Sequence, residues 1–364
     1  MLLVRAAGEP RARREAGFGQ KGWEETMIVE MKILALPEEV EAVVGRAKSL
    51  GFDVQLNLGT NKTVVAILGS DTGQVPTDLF AVLPGVESVT RIMKPYKLAS
   101  REFRTEGSRV TIDGVVIGGK RFVVMAGPCA VESEDQLMEA ARVVKEAGAQ
   151  VLRGGAYKPR TSPFAFQGLE RAGLELLARA RDKFAIPVVT EVVDPHQVDL
   201  VARYADFLQV GARNMQNYAL LTEVGKSGRP CVLKRGLSAT IDEWLTAADY
   251  ILAEGNERLI LCERGIRTFE KSTRFSMDIA SIPVIKKFSH LPVIVDPSHA
   301  AGHYSLVPAL AKAGLAAGAD GLLIEVHPSP KDALVDGLQS LTPSDFSRLM
   351  GELKPIAQAL AREI

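Results

Sequence analysis

The sequence predicts an α/β protein in which a (β/α)8 barrel follows a small ferredoxin-like α+β domain. Three observations carry this. From Phe122 onward, short aliphatic runs alternate eight times with helical stretches over about 240 residues, the count and spacing of a closed barrel. Residues 28–93 instead read strand, helix, strand, strand, short helix, strand, the order of a split β-α-β sandwich. Finally, each expected barrel strand runs into ionisable or soft-ligand residues at the same end. An open doubly wound sheet shares the alternation and stands as the rival fold.

Taken in order, residues 1–26 mix arginines with glutamates, hold several glycines and lack a sustained apolar core. They are expected to be a disordered extension rather than a secretory signal, with Met27 as the natural start. The small domain is assigned to 27–93. Ile28–Leu34 is a strand. Pro37 opens a helix with Val40, Val43, Val44, Ala47 and Leu50 on one face, and Gly51 stops it. Phe52–Leu58 and Thr63–Leu68 are strands joined by a turn with Gly59 and Asn61. Pro76–Leu83 is a short helix and Val86–Met93 a last strand. The segment has no cysteine or histidine and no catalytic constellation, which suits a regulatory or interface module.

A polar linker is expected over 94–108. The barrel domain then occupies 109–364, opening with a hairpin over Val110–Ile117 turned at Asp113-Gly114. Barrel strands are expected at Phe122–Ala126, Gln150–Arg153, Pro187–Thr190, Asp206–Gln209, Cys231–Lys234, Leu259–Cys262, Val293–Val295 and Gly321–Ile324. Helices include Glu134–Ala147, Leu169–Phe184, Ile241–Ala253, Leu306–Ala317 and a last one over Ser344–Arg362.

With 44 basic and 44 acidic residues the formal net charge is zero, which argues against a general nucleic-acid or acidic-membrane binder. No apolar stretch approaches the roughly 20 residues that span a bilayer. Three scattered cysteines make no disulfide framework and point to a reducing cytoplasm.

If the barrel closes, its strand ends bring two chemical groups together. Cys129, His299, Glu325 and Asp336 offer sulfur, nitrogen and carboxylate oxygen, a mixed set that suits a divalent transition metal. Each alone also reads as structural: Cys129 as a small buried hydrophobe, His299 as a bonded loop residue, Asp336 as a turn cap. Arg153, Lys158, Arg160, Arg213, Lys234 and Arg264 form a cationic set, and the run 152–163 adds hydroxyls at Thr161 and Ser162. Converging cations call for anions, and two phosphorylated substrates would balance them. Pairing with Glu191, Glu263 or Asp296 is the bland alternative for any single one. Cys231 and Cys262 fall inside strands and belong to the core. His196 and His290 read as structural, and His303 and His327 as supporting residues around the site.

The motifs GPCAVES (127–133), LRGGAYKPRTSP (152–163), GARNMQN (211–217), LKRG (233–236), CERGIRTFE (262–270), DPSHA (296–300) and IEVHP (324–328) resemble the metal-dependent 3-deoxy-D-arabino-heptulosonate-7-phosphate (DAHP) synthases of type Iβ. The likeness covers the whole barrel, and residues 28–93 resemble the ferredoxin-like regulatory domain of some members. It implies Cys129, His299, Glu325 and Asp336 as metal ligands, with Mn2+ first and Fe2+, Co2+ or Zn2+ as other ions. It implies Arg153, Lys158, Arg213, Lys234 and Arg264 at a phosphoenolpyruvate site, with Glu191 in support. Arg160, Thr161 and Ser162 fall to the phosphate of erythrose 4-phosphate. Lys158, its pKa lowered among cations, is the expected proton donor, with His299 as an assisting carrier. The resemblance further implies a tyrosine or phenylalanine effector at the small domain and a homotetramer. The related 3-deoxy-D-manno-octulosonate-8-phosphate synthases use arabinose 5-phosphate and carry a KANRSS-like loop after strand two; here that loop reads Lys158-Pro159-Arg160-Thr161. A sugar-phosphate sensor without turnover is the non-enzymatic alternative.

Overall fold

The structure, a computed structural model, describes residues 25–58, 63–69, 72, 75–92, 95–158, 162 and 164–364. It divides into two compact units, one ending at Lys94 and the other running from Pro95 to Ile364.

In the first unit the elements are β1 (Glu25–Met31), α1 (Pro37–Ser49), β2 (Asp53–Leu58), β3 (Thr63–Gly69), α2 (Asp78–Ala81) and β4 (Val86–Ile92). The sheet order β2-β3-β1-β4, with antiparallel pairs, is that of the ferredoxin-like sandwich. Pro37 opens α1 with its fixed φ, and the Leu36 N–H donates to the Glu39 carboxylate at 2.8 Å. The core alternates along β1 (Met27, Val29, Met31) and meets Val43 and Ala47 of α1, Val65 and Ile67 of β3, and Phe80.

Two expectations shift here. The first strand ends at Met31 rather than Leu34, because its ladder to β3 stops at Glu30 and, among the described residues, the exposed Ile33 and Leu34 have no strand beside them. It also begins at Glu25, whose backbone pairs with Gly69, so the extension assigned to 1–26 gives up its last two residues to the sheet. The rest of that extension, and the turn at Gly59 and Asn61, lie outside the described residues.

The second unit starts with a segment expected to be a linker, but residues 95–108 pack on the barrel wall. Asp249 accepts the N–H groups of Lys97 and Ala99, the Ser108 N–H donates to the His290 carbonyl, and Tyr96 and Ala99 are buried. His290 is buried by this contact, its ring bonded to Ser108 and the Leu98 carbonyl. Strands β5 (Val110–Ile112) and β6 (Val115–Ile117) then form the hairpin, with Asp113 and Gly114 both at positive φ as a primed turn requires.

Eight parallel strands follow: β7 (Val123–Gly127), β8 (Val151–Arg153), β9 (Val188–Val192), β10 (Phe207–Val210), β11 (Cys231–Lys234), β12 (Leu259–Glu263), β13 (Val293–Val295) and β14 (Gly321–Glu325). Pairing of β14 with β7 closes the barrel and removes the open-sheet rival. The helices that follow the strands are α3 (Glu134–Glu146), α4 (Glu170–Phe184), α5 (Val198–Tyr204), α6 (Tyr218–Lys226), α7 (Ile241–Ala253), α8 (Ser281–Phe288), α9 (Pro297–Ala301) with α10 (Val307–Ala316), and α11 (Pro343–Ala359).

Period-two alternation sorts the strand side chains. Outward residues such as Val124, Leu152, Leu208, Leu233 and Leu261 join the helices in one core. Inward ones, including Met125, Val151, Val189, Phe207, Val232, Cys262, Ile294 and Leu323, fill the barrel, with Val110 and Ile117 of the hairpin in the same cluster. Counting on by two from these gives Arg153, Glu191, Gln209, Lys234, Arg264, Asp296 and Glu325. The layer above the apolar plug is therefore ionisable almost throughout, at the carboxyl ends of the strands.

Candidate metal and anion site

Cys129 follows β7 by two residues. Its carbonyl accepts the Gly155 N–H at 3.1 Å, so the loop after β7 is clipped to the loop after β8. His299 lies in α9, one turn beyond Asp296. Asp296 caps that turn by accepting the His299 N–H at 3.0 Å, and its Oδ2 sits 2.7 Å from His299 Nδ1. Glu325 is the last residue of β14. Asp336 lies in the loop beyond it, in the left-handed region at φ 53°, which a short polar side chain tolerates.

The ligand atoms of Cys129, His299, Glu325 and Asp336 all lie within 4.8 Å of one another. One thiol, one imidazole and two carboxylates at that spacing fit a divalent transition metal. Asp296 orients the imidazole by accepting a hydrogen bond from Nδ1–H, which leaves the Nε2 lone pair free, 3.4 Å from Glu325 Oε1. Burial pulls the His299 pKa below its ordinary value, against the pull of Asp296 and Glu325, so the ring is neutral and able to coordinate a metal. Burial would raise Glu325, but His299 and Arg153 outweigh it and hold the carboxyl below its usual range. Asp336 is lowered likewise, with Arg274 and His299 overcoming burial. Burial and the Glu325 charge push the Cys129 thiol up to about 12, against Lys158 and Arg153.

Lys158 donates to the Cys129 carbonyl at 3.1 Å and to its Sγ at 3.2 Å. The expected lowering of its pKa is corrected: burial does pull it down, but Cys129 and Glu191 raise it further, and the net shift is upward. Among the charged neighbours, the carboxylates Glu191 and Glu325 raise it and Arg153 lowers it.

Lys158, Arg213, Lys234 and Arg264 line one cavity with Glu191, His299 and Asp336. Arg264 is buried, stacks over Phe275 at 4.3 Å, and its Nη1 has no hydrogen-bond partner among the described residues. Arg264 lines that cavity, and a buried guanidinium nitrogen without a partner is what an anion would complete. Two other cations meet the bland alternative in part. Lys234 pairs with Asp296 at 2.7 Å while still lining the cavity. Arg153 is buried beside the cluster of Cys129, His299, Glu325 and Asp336, bonded to the Pro128 carbonyl at 2.6 Å and to Glu325 at 3.3 Å, outside the cavity lining. Ser162 is exposed and accepts the Phe164 N–H at 3.3 Å. Arg160 and Thr161 lie outside the described residues.

Of the remaining residues, Cys231 and Cys262 are buried in the core as expected. His327 reaches Glu132 at 3.4 Å and ties the loop after β14 to the loop after β7. His303 bonds only locally to Ser305, and His196 is exposed beside Asp194. Sequence reasoning gave no role to Arg274 and Gln339 and treated Asp296 only as a salt-bridge partner. The alternation along β13 points Asp296 inward and could have found it. Gln339 and Arg274 lie on loops without a period.

Fold and site together define a (β/α)8 barrel whose mouth carries a mixed sulfur, nitrogen and oxygen cluster that could hold a metal, beside a cavity lined by cations. The family model of the DAHP synthetase I family matches residues 100–360, and that of the DAHP synthase ferredoxin-like domain matches 27–94. A phospho-2-dehydro-3-deoxyheptonate aldolase of Thermotoga maritima is 48% identical over 338 residues, covering 93% of this chain and 100% of the relative. A 2-dehydro-3-deoxyphosphooctonate aldolase of Nitratidesulfovibrio vulgaris is 35% identical over 259 residues, covering 66% of this chain and 93% of the relative. The crystal structure of the Thermotoga maritima DAHP synthase superposes with a TM-score of 0.79 at 48% identity over 93% of this chain and 99% of that one. A truncated form of the Thermotoga maritima enzyme gives 0.69 at 47% identity over 74% and 99%. The chain belongs to the DAHP synthetase I family. Among the described residues, no helix is long and apolar enough to cross a membrane.

Proposed function

We propose that the chain condenses phosphoenolpyruvate with D-erythrose 4-phosphate and water to give 3-deoxy-D-arabino-heptulosonate 7-phosphate and phosphate, the first step of the shikimate pathway to the aromatic amino acids. The observation that carries this reading is the meeting of Cys129, His299, Glu325 and Asp336 within 4.8 Å, beside a cavity whose cations include the orphaned Arg264.

C3 of phosphoenolpyruvate bonds to the aldehyde carbon of the aldose phosphate. The aldehyde oxygen takes up a proton, water adds at C2, and phosphate leaves with C–O cleavage. Arg264, Lys234 and Arg213 hold the phosphoenolpyruvate anion in line for that attack. Arg153 stands behind them, bracing Glu325. Arg160 and Thr161, with Ser162, take the phosphate of the aldose. Lys158 is an ammonium at neutral pH and holds the proton due to the new hydroxyl. Glu191, braced by Gln209 at 3.3 Å, faces the cavity. Cys129, His299, Glu325 and Asp336 hold the metal, with Mn2+ as the native ion. When bound, such an ion supplies Lewis acidity toward the aldehyde oxygen.

The test is a steady-state assay of phosphate release with erythrose 4-phosphate against arabinose 5-phosphate, with and without Mn2+. Metal-dependent preference for the four-carbon substrate is the expected result. Preference for arabinose 5-phosphate would reassign the chain to octulosonate synthesis, and no release with either would make it a sensor. We further propose a cytoplasmic homotetramer whose ferredoxin-like domain binds tyrosine or phenylalanine. Light scattering and inhibition curves with the two amino acids check those points.

A further inference from the structure

The loop after β12 leaves the cavity at Arg264 and returns to it at Arg274 and Phe275. Its return is pinned by the backbone: Arg274 N–H donates to the Ala301 carbonyl at 3.1 Å and Phe275 N–H to the Ala300 carbonyl at 2.9 Å, both in the helix that carries His299. Gly302 permits the approach. It sits at φ 71°, and a Cβ there would lie 2.4 Å from Arg274 Cβ.

The two side chains then part. Arg274 Nη1 donates to Gln339 Oε1 at 2.8 Å and to Asp336 Oδ1 at 3.3 Å. Gln339 is buried, and its Nε2 donates to Glu325 Oε2 at 2.7 Å. One guanidinium thus restrains the outer oxygens of two of the four clustered ligands. It leaves Asp336 Oδ2 toward Cys129 Sγ, at 3.5 Å, and Glu325 Oε1 toward His299. Phe275 lays its ring 4.3 Å from the Arg264 guanidinium carbon and so fixes the plane of a cavity cation whose buried Nη1 has no hydrogen-bond partner among the described residues.

We propose that Arg274 and Phe275 are a pair of positioning residues, adjacent in sequence but serving different halves of the site: Arg274 presets the metal ligands Asp336 and Glu325, and Phe275 presets Arg264 for the substrate anion. This rests on the function proposed above. Because one backbone segment carries both, the metal and anion sites keep a fixed spacing.

The test compares metal-stripped full-length variants by the electron paramagnetic resonance signal of free Mn2+ and by steady-state kinetics. Arg274→Gln should weaken Mn2+ binding about 10- to 100-fold. Arg274→Lys, which keeps the charge, should recover part of that loss. Phe275→Leu should raise the KM for phosphoenolpyruvate roughly 2- to 30-fold and leave Mn2+ affinity unaltered, and Phe275→Tyr should restore the KM. A folded Arg274→Gln variant binding Mn2+ within about twofold of the parent would overturn the proposal. So would two variants with the same pattern of defects. Should Arg274→Gln fail to fold, Gln339→Leu cuts the same chain at Glu325 and must weaken Mn2+ by a similar factor; unchanged affinity there overturns the assignment. A parent chain that neither binds Mn2+ nor releases phosphate would remove the functional reading and this proposal together.

Discussion

Asp296 Oδ2 lies 2.7 Å from His299 Nδ1. The same oxygen accepts from Lys234 Nζ at 2.7 Å, so one buried carboxylate orients the imidazole of a proposed metal ligand and anchors a cavity cation. Burial would raise its pKa, yet His299 and Lys234 hold it well below the usual carboxylate range. Asp296→Asn keeps the shape but loses the charge that favours a proton on Nδ1. We expect Mn2+ affinity to fall about 10- to 100-fold, with a higher KM for phosphoenolpyruvate as Lys234 loses its partner. Metal titration and initial-rate kinetics check both.

Cys129 contributes the one sulfur of the proposed metal site. Cys129→Ala should abolish metal-dependent phosphate release while the far-ultraviolet circular dichroism stays that of a folded α/β barrel. Full activity of this variant after exhaustive chelation would remove the metal assignment.

Metal binding should depend on pH through the same thiol. Its pKa is pushed up to about 12, so it is protonated at neutral pH in the metal-free protein. A metal-bound thiolate must first release that proton, whereas His299, already neutral, releases none. Affinity should therefore rise with pH, by about tenfold per unit below the thiol pKa. Calorimetry in two buffers of different ionisation heat should report about one proton released per ion. A pH-independent affinity would mean that the sulfur is not a ligand.

Gly127 ends β7 at φ 151°, and a Cβ there would lie 2.1 Å from the Arg153 carbonyl oxygen. Gly127→Ala should push β7 from β8 just below Cys129 and destabilise the barrel by more than about 2 kcal/mol. Urea unfolding of parent and variant measures the difference.

Much of this architecture is legible in the chain because its causes are local. Aliphatic runs of strand length, Asp113-Gly114 at a primed turn and Pro37 and Gly51 around a helix act over a few residues, and those elements fall within a few residues of where periodicity places them. The ends drift where a neighbour decides: Ile33 and Leu34 continue an aliphatic run but have no strand to pair with. Residues 95–108 look polar enough for a linker, yet their backbone groups find partners on the barrel wall.

The sequence by itself determined the eight barrel strands, the period-two face that turns Arg153, Lys234, Asp296 and Glu325 inward, and the motifs that mark the family. Tertiary structure alone decided that β14 pairs with β7, and with that closure that sulfur 129 meets imidazole 299. It also decided the sign of the Lys158 shift and the hydrogen bonds of Arg274 to Asp336 and of Gln339 to Glu325. The physical reason is distance: electrostatic and hydrogen-bonding effects act over a few ångströms of space, and residues far apart along the chain acquire such neighbours only when the barrel closes.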